Sequence, residues 1–194
     1  MPKTSAKNPG TGLIAFGANL PWNGQPPVET LRAALRALDD AGLPVRAASP
    51  MYATPCFPPG AGPDYVNGAA EIVTGDRSPA EVLAVLHRIE TQFGRERQRR
   101  WGMRTLDLDL VAMGDLVLPD AATQARWRDL PAADQTQLSP DQLILPHPRL
   151  QDRGFVLVPL ADVAPDWRHP ALGRTVVELR DALDPGLRAE VTPL

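Results

Sequence analysis

TLDLDLVAM, residues 105–113, is the stretch around which the rest of the chain can be organised. Leu106, Leu108 and Leu110 alternate with Asp107 and Asp109, the period of two expected of a β-strand whose successive side chains point to opposite faces. The leucines belong to a core and both aspartates to the other face. Aspartate is a poor strand former, and like charges two residues apart on one face repel. Such a pair needs compensation. Two carboxylates about 7 Å apart along a strand suit one or two Mg²⁺ ions shared with the phosphates of a nucleotide. An exposed strand face paired to arginines satisfies the same charges, and Asp-x-Asp alone does not choose between the two.

Just upstream, residues 94–104 read GRERQRRWGMR and hold Arg95, Arg97, Arg99, Arg100 and Arg104. The planar fork of arginine matches phosphate, although a solvated surface loop has the same composition. Trp101 favours a ligand, because an exposed loop rarely keeps a tryptophan without something flat or apolar to pack on. Before this loop, Ser78, Pro79 and Glu81 form a capping box with proline at the first helical position, and Val82, Leu86, Ile89 and Phe93 carry that helix to Gly94. Residues 44–52 and 64–74 read as strands around the turn-rich ATPCFPPGAGP. Val28, Leu31, Leu35 and Leu38 mark a first helix stopped by Gly42 and Pro44, and GLIAFG, residues 12–17, a buried strand. Downstream, residues 115–142 are polar without a period: a surface insertion or a pair of short helical turns. Residues 155–160, FVLVPL, read as a strand and 175–183 as a short helix. The order β-α-β-β-α-β predicts an α+β fold of the ferredoxin-like split βαβ class with an additional C-terminal strand and helix. Residues 1–11 are expected to be a flexible leader and 12–194 a single domain.

Composition narrows the function classes. A chain of 194 residues, 43% hydrophobic and 22% charged, is one globular domain's worth. A net charge of −3 gives no global attraction to nucleic acid or an anionic membrane. Cys56, the single cysteine, has no partner for an internal disulfide or a zinc site. Apolar runs are short and the first twelve residues lack an apolar core, so a cytoplasmic protein is expected. Proline, 22 of 194 residues, is at roughly twice its usual share and predicts long ordered loops. There is no GxxxxGK[ST], G-x-S-x-G or HExxH motif.

Two further clusters are informative. LPHPRLQDRGF, residues 145–155, places His147, Arg149 and Arg153 around a turn, and phosphate contacts or a structural histidine fit it equally. Tyr65 and Asn67 alternate onto one strand face, an aromatic surface beside an amide able to read a heterocycle, or an ordinary cross-strand aromatic beside a turn asparagine.

In order, FGANL (16–20), SPMYATP (49–55), PDYVNGA (63–69), RIETQFGRERQRRWGMRTLDLDLVAMGD (88–115) and LPHPRLQDRGFVLVPLADVAP (145–165) resemble the 6-hydroxymethyl-7,8-dihydropterin pyrophosphokinase family of folate biosynthesis. The resemblance implies transfer of the terminal diphosphate of ATP, as one unit, to the pterin's hydroxymethyl oxygen, releasing AMP. It implies that Asp107 and Asp109 hold two Mg²⁺ ions, and that Arg95 and Arg104 belong to a mobile catalytic loop whose Trp101 closes over the substrates. Glu90, His147 and Arg153, with Arg95 and Arg104, match ATP-side positions. Thr54, Pro55, Tyr65, Asn67, Trp101 and Phe155 match the pterin pocket. The expected partners are these two small molecules, with no nucleic acid or membrane, and the expected state is a monomer. Ala18 replaces a serine usual in the family and Met103 a proline, which implies altered loop stiffness. Two rivals share features of the chain. An RNA-binding module has the same element order but an aromatic RNP1 pattern that is missing here, and a two-metal nuclease would use the same aspartates.

Overall fold

The polar end of one sheet face, and what leaves it uncovered, follow from how the strands of one sheet and two crossover helices are laid down. The computed structural model describes residues 10–56, 60, 62–94 and 104–194, with the backbone alone at 132, 133 and 136. β1 (Gly10–Ala18) begins two residues before the strand expected from sequence, so Gly10 and Thr11 belong to the sheet and not to a leader. α1 (Pro27–Asp40) follows, burying Thr30, Leu31, Ala34 and Leu38. The strand expected over 44–52 is two strands, β2 (Val45–Ala48) and β3 (Tyr52–Thr54), both antiparallel to β4 (Tyr65–Gly75). The break falls at Ser49-Pro50, because Pro50 has no N–H for a ladder. Ser49 keeps the register by donating its N–H to the Ala69 carbonyl and accepting the Ala69 N–H on its Oγ.

α2 (Pro79–Gln92) opens with the capping box read from sequence: Ser78 and Glu81 each accept the other's backbone N–H. It leads to β5 (Asp107–Met113). The sheet order is β5-β1-β4-β3 with β2 also on β4, and the pairings are antiparallel. Each crossover helix thus joins strands with one other strand between them. α1 and α2 cover one face, where Ile14, Phe16, Leu31, Leu86, Ile89, Leu106, Leu108 and Leu110 share one core. The other face carries a second core, in which Leu13, Ala69 and Val111 pack against Leu157, Leu160 and Leu179.

That second core corrects the sequence reading of residues 155–160. They lie in a helix, α5 (Gly154–Val163), and not in a strand. Gly154, Val156, Leu157, Pro159, Leu160 and Ala161 are all buried, and a helix enclosed on most sides has no polar face to give its apolar run a helical period. Gly154 is required at its start, since a Cβ there would lie 2.6 Å from the Leu187 carbonyl oxygen. α6 (Val176–Asp181) is the short helix expected near the C-terminus and has its own capping box. α7 (Pro185–Ala189) and the two-residue β6 (Thr192–Pro193), which pairs with β3, carry no clear sequence signal. The polar segment after β5 resolves as short helices, α3 (Ala121–Arg128) and α4 (Ala132–Gln137). Among the described residues, no helix is long and apolar enough to cross a membrane.

Candidate active site

The sheet register aligns Asn67 of β4, Gly17 of β1 and Asp107 of β5 in one row, and Ala69, Ala15 and Asp109 in the next. Alternation puts all six on the face opposite α1 and α2. The two central residues are a glycine and an alanine, so the strand between the polar flanks is low. The result is an open cleft lined by Ala15, Phe16, Gly17, Asn67, Asp107, Asp109 and Phe155. Gly17 is needed there: a Cβ would lie 2.3 Å from Asn67 Oδ1. Asn67 is buried and its Nδ2 donates to Thr54 Oγ1 at 2.6 Å, which fixes the amide with its oxygen over Gly17. Phe155 stands at the start of α5, 39% exposed, where an apolar ring is free to pack on a ligand. The sequence expected it on a strand face; it reaches the cleft from a helix instead.

Asp107 and Asp109 are half-buried and open onto this cleft. Arg104 forms an ion pair with Asp107. Burial works against the Arg104 charge, but Asp107, and then Asp109, outweigh it and hold the guanidinium above its ordinary pKa. Tyr65 lies in the same field: burial raises its phenol while Arg104 pulls it down. Arg104 is itself clamped through its backbone. Its N–H donates to Asn19 Oδ1 at 2.8 Å, and its carbonyl accepts the N–H groups of Asn19 and Leu20 at 3.0 and 3.1 Å. Asn19 is 2% exposed and donates its Nδ2 to the Pro63 carbonyl, 3.1 Å away. One asparagine at the end of β1 therefore ties the residue before the aspartates to the turn before Tyr65. Sequence reasoning missed Asn19; the available signal was an amide directly after a buried strand, inside the FGANL block.

Arg153 and His147 lie in the field of the same aspartates. Arg153 precedes α5 with its guanidinium 5.5 Å from the centre of the Phe155 ring. Burial lowers its pKa, opposed by the fields of Asp109 and Asp107. His147 is held by its N–H to the Val111 carbonyl of β5 at 2.8 Å. Burial, then the charges of Arg153 and Arg149, depress its pKa to about 3, so the ring is neutral. Its Nδ1 accepts the Arg149 N–H at 3.2 Å, which leaves the proton on Nε2 and makes that atom a donor. Glu90 does not line the cleft. It is buried on α2, where Oε1 accepts the Leu108 N–H at 2.8 Å and so fixes β5 between the two aspartates. Pro55 is exposed, directly after β3. Arg95 and Trp101, with Arg97, Arg99 and Arg100, lie outside the described residues.

The chemistry this allows is directional. Two carboxylates line a cleft, and their hard oxygens are the ligand type suited to Mg²⁺. Among the described residues no third His, Cys, Asp or Glu joins them, so such an ion would complete its shell with water and phosphate oxygens, which Mg²⁺ favours.

Residues 13–165 match the family model described as 7,8-dihydro-6-hydroxymethylpterin-pyrophosphokinase. The chain is 37% identical to a 2-amino-4-hydroxy-6-hydroxymethyldihydropteridine pyrophosphokinase of Synechocystis sp., over 89% of this chain and 75% of that one. It is 39% identical to the protein of the same name from Pseudomonas aeruginosa, over 86% and 87%. Among solved structures, the wild-type HPPK-DHPS of Plasmodium falciparum superposes with a TM-score of 0.62 at 14% identity, over 89% of this chain. The chain spans 44% of that protein's length, and at this identity the likeness concerns the fold.

Proposed function

This chain belongs to the 7,8-dihydro-6-hydroxymethylpterin-pyrophosphokinase family, and from that premise we propose how its residues carry out the family's reaction. The enzyme transfers the diphosphate of ATP to the hydroxymethyl oxygen of 6-hydroxymethyl-7,8-dihydropterin, a step of folate biosynthesis. A bond forms between that oxygen and the β-phosphorus, the bond from the β-phosphorus to the oxygen kept by AMP breaks, and the hydroxyl proton is released.

The observation that carries the assignment of roles is the row Asn67–Gly17–Asp107. It sets a heterocycle-reading amide two strand spacings, about 10 Å, from a carboxylate pair, with a floor of backbone between them. Asn67, oriented by Thr54, takes the donor and acceptor edge of the pterin; Tyr65 and Phe155 supply aromatic surface, and Pro55 borders the pocket. This aims the hydroxymethyl arm across the low strand toward Asp107 and Asp109. Mg²⁺ bound there would neutralise the phosphates and stabilise charge on the transferring group. Asp107 and Asp109 would hold it, and two ions are expected. Arg104 and Arg153 bring guanidinium groups to the phosphates, and His147 Nε2 donates to a phosphate or ribose oxygen. Glu90 acts on the nucleotide side through the strand it fixes. Arg95 and Trp101 are assigned to the loop over the substrates by their place in the RIETQFGRERQRRWGMRTLDLDL run. Little covalent chemistry is asked of the protein, since phosphoryl-type transfer is mostly positioning and charge stabilisation.

The strand order and the two crossovers support a ferredoxin-like split βαβ arrangement. The reading takes the enzyme as a monomer acting on two small molecules, in the cytoplasm, where ATP is supplied. The nuclease and RNA-binding readings gain nothing from these relatives. Incubation with ATP, Mg²⁺ and the reduced pterin tests the proposal: AMP and pterin diphosphate should appear one for one, and release of inorganic diphosphate or of ADP instead would overturn it.

A further inference from the structure

The segment after β5 carries none of the motifs above, yet it meets the site at three points. Leu118 and Leu145 exchange backbone hydrogen bonds at 2.8 and 3.2 Å, joining the start of the segment to the residues before His147. Arg149 donates from its guanidinium to the Gln135 carbonyl near the end of α4. The third point is Gln124.

α3 is docked by an amide and not by an apolar stripe. Asp120 caps it, accepting the Thr123 N–H at 2.8 Å, and the buried residue among its eight is Gln124, 0% exposed. Gln124 Nε2 donates to the Pro146 carbonyl at 3.3 Å, while Oε1 accepts from Arg128 at 3.1 Å. A guanidinium can only donate and a carbonyl only accept, so the residue between them must offer one acceptor and one donor. Glutamine does so; glutamate would turn an acceptor toward a carbonyl. Pro146 has no N–H, so its carbonyl is its sole backbone hydrogen-bonding group. The next residue is His147, whose N–H is already held by β5. The His147 backbone is thus fixed from one side by the sheet and from the other by α3.

We infer that residues 115–137 form a frame that presents the 147–149 turn to the nucleotide, with Gln124 as its positioning residue. This rests on the reading of His147 as a nucleotide-side donor. The frame sets where Nε2 points while touching neither substrate, so its effect is confined to one ligand. A residue needed only for folding would weaken both.

Titration calorimetry on the full chain tests this, with the unreactive α,β-methylene ATP plus Mg²⁺ as one probe and 6-hydroxymethylpterin as the other. Gln124→Met should weaken the nucleotide analogue about tenfold, the size of one lost hydrogen bond, and change pterin affinity less than about twofold. Adding Gln124→Met to His147→Ala should weaken binding no further than His147→Ala alone, because both act through one contact. Equal loss for both ligands, no loss for either, or additive effects would each overturn the inference. Gln124→Glu carries the same expectation if the methionine variant does not fold; failure of both to fold makes the segment a folding element and also overturns it. His147→Ala binding the analogue like wild type would instead defeat the reading of His147. Weak binding by His147→Ala with normal binding by both Gln124 variants defeats the frame alone.

Discussion

β1, β4 and β5 present two faces built by one alternation and used in opposite ways. Toward α1 and α2 they offer Ile14, Ile72, Leu108 and Leu110, all buried. Toward the other side they offer Ala15, Gly17, Asn67, Asp107 and Asp109, and α5 covers only part of the surface. The first face follows strand propensity and is closed; the second departs from it with a glycine and two aspartates and is open. Local rules fail on the face proposed to meet the substrates, where small residues leave room and two like charges share one side of a strand.

The sharpest break between the faces lies within one strand. Asp109→Ala should lower turnover about a thousandfold or more, since the proposed metal ligand goes and several kcal/mol of charge stabilisation with it. Its stability should stay within about 1 kcal/mol of wild type, because no apolar packing is removed. Leu108→Ala, one residue away and facing the closed core, should instead cost about 2 to 5 kcal/mol in urea unfolding. Near wild-type turnover for Asp109→Ala, or stable folding of Leu108→Ala, would erase the distinction.

The closed face was the more legible in sequence. The leucine alternation of β5, the apolar stripe of α1 and the capping box of α2 are periodic or chemically specific signals, and each appears where the residues put it. On the open face, Asp107 and Asp109 are legible as residues out of place in a strand, and Asn67 as an amide sharing a strand face with Tyr65. What covers that face is not. The FVLVPL run has no period because α5 is buried on most sides, and Asn19 acts through contacts with Arg104 and Pro63 that lie 85 and 44 residues away in the chain. Nothing local marks such a latch. Asn19→Ala would remove the partners of a part-buried N–H and of a carbonyl, and should cost about 1 to 3 kcal/mol in unfolding while lowering kcat more than nucleotide affinity. Parallel loss of kcat and affinity would make it a plain structural residue.

Asn67 sharpens the division within the open face itself. Asn67→Ala should weaken pterin binding by about 1 to 3 kcal/mol and leave the nucleotide analogue unaffected, if the two ligands lie on opposite sides of Gly17. Thr54→Val, which removes only the partner that orients the amide, should act in the same direction and more weakly. Equal losses for both ligands in calorimetry would merge the two halves of the cleft.

The smallest effect separates the apolar half of the second face from the site by pH. His169 is fully buried beside Trp167, at the edge of the core around α5 and α6. Burial, then the charge of Arg128, lowers its pKa to about 4, and its Nδ1 accepts the N–H groups of Ala171 and Leu172, each at 3.2 Å. Protonating Nδ1 would break both. The unfolded histidine titrates near 6.5, above the folded value, so the unfolded state binds the extra proton first. The stability His169 contributes is present above about pH 6.5 and is lost as pH falls toward 4. His147, depressed to about 3, acts in the same sense. Carboxylates titrate lower, so between pH 6.5 and 5 the two histidines should dominate the slope. His169→Asn keeps an acceptor at the Nδ1 position and does not titrate. It should flatten the pH dependence of unfolding free energy by up to about 1.4 kcal/mol per pH unit in that window, without moving the pH profile of turnover. An unchanged stability slope would show that His169 is as easily protonated in the fold as out of it. A shifted turnover profile would mean that this end of the second face and the cleft are not separable after all.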